Sequence, residues 1–71
     1  MFTLTETETA CGVTMEDVEA FALTSAVTDG MAVIDQFASP AQAGATARYL
    51  LGGPVEFVHL AGGKFPIYRP A

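Results

Sequence analysis

The stretch Val55-Glu56-Phe57-Val58-His59-Leu60-Ala61-Gly62-Gly63-Lys64-Phe65-Pro66-Ile67-Tyr68-Arg69 (VEFVHLAGGKFPIYR, residues 55–69) sets two apolar, strand-length runs on either side of a Gly-Gly pair. It also holds His59 and Lys64, the only histidine and the only lysine of the chain. A hairpin of strands 55–60 and 65–69 pairs Leu60 with Phe65, Val58 with Ile67 and Glu56 with Arg69 on one face. Phe57 then meets Tyr68, and His59 meets Pro66, on the other. A shift by one residue sets Leu60 against Lys64 and Glu56 against Tyr68, which mixes the faces. Proline has no N–H to give, so a four-residue loop, Ala61 to Lys64, is expected, with Pro66 at a non-hydrogen-bonded site. The strand that carries Pro66 is expected at the sheet edge.

Gly63-Lys64 raises the question of a phosphate loop, and the answer is negative. A G-x-x-x-x-G-K-[ST] loop has glycine where Val58 stands and Ser or Thr where Phe65 stands, and it opens a helix where Pro66 stands. No G-x-G-x-x-G occurs, so no dinucleotide site is expected either. One histidine and one cysteine cannot build a nitrogen and sulfur metal site in one chain, and we expect neither metal nor cofactor. Cys11 has no flanking cation or second sulfur to favour its thiolate and is expected to be a small buried hydrophobe at a helix end. No glycine elbow marks a nucleophile for His59 or Asp35 to serve, and we expect no enzyme.

Before the hairpin, helix signals dominate. Thr14 caps a helix that begins near Met15, with Asp17 at its third position and Val13 and Val18 placed as a hydrophobic staple. Glu16, Asp17 and Glu19 fall in its first turn, where the helix dipole favours negative charge. A shorter helix over Leu4–Cys11 follows from Thr3 or Thr5 as cap, Glu6 or Glu8 three positions on, and Gly12 as the stop; FTLTETET read as a strand is the alternative. Ser39-Pro40-Ala41-Gln42 opens a further helix, with serine as cap and proline at the first position. Gly52-Gly53-Pro54 ends it after Leu51, and Ala43, Ala47, Leu50 and Leu51 form its apolar face.

The middle is ambiguous. Leu23, Val27, Met31, Ile34 and Ala38 recur at helical spacing, yet Asp29-Gly30 is a turn signal and Met31–Phe37 is a strand-length run. We expect a helix to about residue 28 and a strand over 31–37; a hairpin of 22–28 and 31–37 is the second choice.

Seventy-one residues make one compact domain, 1–71, with a thin core, and 51% apolar residues exceed what that core needs. Protein partners or self-association are therefore expected. Net charge is −5, split between −7 over residues 1–35, which hold seven acids and no cation, and +2 over residues 36–71, where Arg48, Lys64 and Arg69 face Glu56 alone. Three dispersed cations argue against direct nucleic-acid binding. A single cysteine, no basic or apolar leader and no long apolar run point to a cytoplasmic protein without membrane contact.

The expected architecture is α+β, with two or three short helices packed on a small antiparallel sheet whose C-terminal hairpin provides an edge. With Val58, Leu60, Phe65 and Ile67 toward the helices, Val55, Phe57, His59, Pro66 and Tyr68 are expected as an aromatic face left over, unless a helix of the same chain covers it. Phe57, His59, Pro66 and Tyr68, with Lys64 beside them, are thus a candidate partner-binding face, and Glu16, Asp17 and Glu19 a second, acidic candidate. The expected function is a non-catalytic interaction module, such as a phage or mobile-element inhibitor of the anti-CRISPR or anti-defence kind that occludes a surface of a larger host complex. A homodimeric accessory or regulatory subunit, and a tiny oligomeric enzyme with a shared pocket near His59, are the alternatives.

Overall fold

A computed structural model describes residues 1–37 and 39–71 of the chain; Ala38, the last position of the helical spacing above, lies outside the described residues. Among the described residues the fold is α+β, with three helices and a four-stranded antiparallel sheet. Helix α1 (Glu6–Ala10) is held by a reciprocal capping box between Thr5 and Glu8, and Gly12, at φ +86°, turns the chain out of it; Cys11, at its C-cap, is exposed rather than buried, because α1 buries none of its residues. Helix α2 (Met15–Thr24) begins where Thr14 accepts the Asp17 N–H, and Val13 and Val18 are both buried in one cluster. Helix α3 (Pro40–Leu51) is capped by Ser39, which accepts the Gln42 N–H, and ends at Gly52 with φ +76°.

The middle of the chain corrects the first expectation. Helix α2 stops at Thr24 rather than near residue 28, and the second choice holds in shortened form: β1 (Ala26–Thr28) and β2 (Met31–Val33) pair across Asp29-Gly30. Both turn residues have positive φ, +54° and +76°, the combination of a tight turn matched to strand twist, and one that Asp and Gly tolerate better than other residues. Local turn chemistry here overrides helical spacing.

The hairpin is β3 (Val55–Ala61) and β4 (Phe65–Pro70). Its open end follows the expected register, with Glu56 opposite Arg69 and Phe57 opposite Tyr68. Its turn end does not. Ala61 pairs with Phe65, so the loop is Gly62-Gly63-Lys64, three residues rather than four, and Leu60 meets Pro66 while His59 meets Ile67. A bulge at Val58 absorbs the extra residue. It also exchanges faces: Leu60 joins Phe57 on one side of the sheet, and His59 turns to the other.

Sheet order is β1-β2-β4-β3, so the hairpin does supply an edge, but the edge strand is β3 and the Pro66 strand lies inside. Ile34 N–H donates to the Pro66 carbonyl at 3.0 Å, whereas proline cannot return the second bond of such a pair. The β2 ladder ends one residue earlier, at Val33. Pro66 does not exclude a neighbouring strand; it terminates one.

Helix α3 is the central element. Ala43 and Ala47 pack with Ala32 and Ile34 of the sheet side, joined by Leu50, Leu51, Val55 and Tyr68. Across the helix, Ala45 and Ala41 meet Val13, Val18, Phe2 and Leu4. The layers are thus sheet, α3, then α1 with α2. Two covered faces explain why α3 is alanine-rich, since small side chains let both neighbours approach closely.

Candidate functional site

On the sheet face toward α3, the bulge brings Phe57, Leu60, Pro66 and Tyr68 to one side, and the chain entering α3 adds Phe37, Pro40 and Ala43. Together they line an open groove of about 260 Å³ whose walls are almost wholly apolar. Phe57 and Tyr68 meet edge to face, ring centroids 5.7 Å apart. Tyr68 packs against the core and burial pushes its phenol above the usual value of 10.0, while Phe57, Leu60 and Phe37 remain 55%, 47% and 38% exposed. The free edge of β3 runs along the groove, and its bulge makes it a poor template for adding a further strand. What the groove offers is apolar side-chain contact.

The candidate residues divide accordingly. Phe57, Pro66 and Tyr68 are brought together, though not as a face left bare by the helices: α3 covers Tyr68, Pro66 is buried, and it is Phe65 and Ile67, expected against the helices, that turn to the other side of the sheet. His59 is on the opposite face, paired with Ile67, and so leaves the aromatic group to which the regular register assigned it. Lys64 is exposed in the turn, its ammonium 5.1 Å from the Phe65 ring centre, with no ion pair among the described residues. Glu16, Asp17 and Glu19 lie on α2, with α3 between them and the sheet; the Asp17 carboxylate accepts from the Gln42 side-chain amide at 3.5 Å.

Phe37, Pro40, Ala43 and Leu60 were not among the sequence candidates. Phe37 carried a signal, a lone aromatic in the link just ahead of the Ser39 cap. Leu60 carried none, since its side depends on the bulge.

A larger cleft of about 450 Å³ lies between the N-terminal residues Met1 and Phe2 and the Arg48–Pro54 end of α3. Its charged group, Arg48, is already engaged by the Thr3 carbonyl, Glu8 and the Phe2 ring. Among the described residues no group of three or more His, Cys, Asp or Glu could hold a metal ion, and no helix is long and apolar enough to cross a membrane. Comparison with protein-family models, with curated proteins and with solved structures gave no match.

Proposed function

We propose that the protein is a non-catalytic interaction module that docks on a larger protein through the Phe37–Phe57–Leu60 groove. The observation that carries this reading is the groove itself: large apolar side chains held partly exposed around a depression floored by Pro66 and Tyr68. Aromatic anchors around a desolvated pocket are the usual composition of an interface centre. Lys64 in the adjoining turn adds one cation, which favours an acidic rim on the partner. The role proposed is occlusion of a surface on a host complex, in the manner of a cytoplasmic phage or mobile-element inhibitor such as an anti-CRISPR protein; the exposed groove and the small size suit docking of this kind.

The test is affinity capture from a bacterial lysate with the unaltered chain and with a Phe57→Ser, Leu60→Ser double variant. Both positions are exposed at the edge strand, so the fold is retained. A specific partner captured by the first and lost by the second supports the groove as the site; capture that survives the substitutions places the site elsewhere.

A further inference from the structure

The sheet face turned away from α3 carries a separate surface. By strand alternation and pairing, Ala26, Val33, Ile67 and His59 form one cross-strand row on that face, with Met31 and Phe65 to either side. An antiparallel sheet with one face in water normally alternates apolar and polar residues along each strand. Strand β2 reads Met-Ala-Val and β4 reads Phe-Pro-Ile-Tyr, apolar on both sides. Met31, Val33, Phe65 and Ile67 are half-buried, and the helix that packs on the strands, α3, contributes to the other face.

We infer that a second copy of this chain packs its own open sheet face on this one, independently of the groove. Charge placement selects that occupant. Of the eight acids, Glu8 is paired with Arg48 and Glu56 with Arg69. Four of the remaining six, Glu6, Glu16, Asp17 and Glu19, are on α1 and α2, the layer farthest from the open face, while Asp29 is in the turn before β2 and Asp35, just past β2, stands at the Phe65 end of the sheet, the end that also holds Lys64. Glu56 and Arg69 neutralise one another at 2.7 Å at the rim of the face, and Lys64 stands at the sheet end opposite the Asp29 turn. A strongly charged partner of either sign gains little from a face so nearly neutral. Two identical molecules of net charge −5 repel in most orientations, but joined here they hold their α1–α2 acids on opposite outer surfaces. Sheet and helix layers about 10 Å thick separate those surfaces by roughly 40 to 50 Å, several times the ~8 Å screening length at physiological salt. The face is small, at most about 20 Å on a side from strand spacing and rise, so a weak dimer is expected, with a dissociation constant between ~10 μM and ~1 mM.

Sedimentation equilibrium of the purified chain from ~20 μM to ~2 mM tests this, alongside Ile67→Lys, Val33→Thr and the groove variant, with circular dichroism as the check on folding. Expected are a rise from monomer to dimer in the unaltered chain, the same rise in the groove variant, and a tenfold or greater weakening in Ile67→Lys. Val33→Thr keeps the strand propensity and is expected to weaken the dimer about threefold, so the test stands even if the lysine variant does not fold. A monomer throughout at ~2 mM overturns the inference. So does a dimer undisturbed by the two face substitutions, or one lost only in the groove variant.

Discussion

Arg48 reaches back across the chain to Glu8, its Nη2 donating to Oε1 at 2.5 Å, while Nη1 donates to the Thr3 carbonyl at 2.9 Å. The guanidinium also lies over the Phe2 ring, 4.4 Å from its centre. One side chain on α3 thereby fastens both α1 and the segment that precedes it. Because both ion-pair partners are mostly buried, the pair resists salt better than a surface pair does. Arg48→Ala is expected to lower stability by about 2 kcal/mol, with nearly the same loss in dilute buffer and in 1 M salt, as read by urea unfolding. A loss below about 0.5 kcal/mol would reclassify the contact as an ordinary surface pair.

An open position and a packed position of α3 predict opposite outcomes on substitution. Gly44 stands mid-helix without positive φ, and a Cβ there meets nothing within 4 Å. Gly44→Ala is expected to raise stability by about 0.5 to 1 kcal/mol, because alanine loses less backbone entropy on folding. Ala47 is fully buried against Ala32 and Ile34. Ala47→Leu forces the sheet and helix apart and is expected to cost about 2 kcal/mol or more, seen as a lower thermal midpoint.

Tyr68 gives the fold an alkaline limit. Its phenol titrates above 10.0 in the folded chain because burial disfavours the phenolate. The unfolded chain therefore loses that proton first as pH rises, and stability falls from about pH 10 until the folded-state pKa is passed, being fully present below that window. Tyr68→Phe is expected to remove this slope from denaturation curves measured between pH 8 and pH 11.5. An unchanged slope would assign the alkaline loss to another group.

The parts of the fold that were legible in the sequence are those that a few adjacent residues decide. Thr14, Ser39 and the Thr5–Glu8 box state their helix starts in local hydrogen bonds, and Gly52 states a helix end in one dihedral angle. The Glu56–Arg69 and Phe57–Tyr68 pairs were legible because opposite charges and paired rings favour one register. Less legible were features fixed by competition between distant segments. That Pro66 has a neighbour on its far side depends on where β2 ends, at Val33, far earlier in the chain. The side on which His59 and Leu60 emerge depends on whether Gly62-Gly63-Lys64 or Ala61–Lys64 closes the loop, a difference of one residue that both glycines permit, at φ +61° and +76°. Within the candidate site the aromatic pair was therefore visible, whereas its setting among Phe37, Pro40 and Leu60 was not.

The three-residue loop and the bulge at Val58 behave like two frameshifts in succession. The first moves every residue between them out of step with β4, and the second brings Phe57, Glu56 and Val55 back into step. A length change at either position alone would carry the error to the end of the strand and turn Val55 and Phe57 away from α3. A length change at the loop thus needs a matching one at the bulge to keep Val55 and Phe57 toward α3, and the segment from Val58 to the turn is where a change of register stays confined.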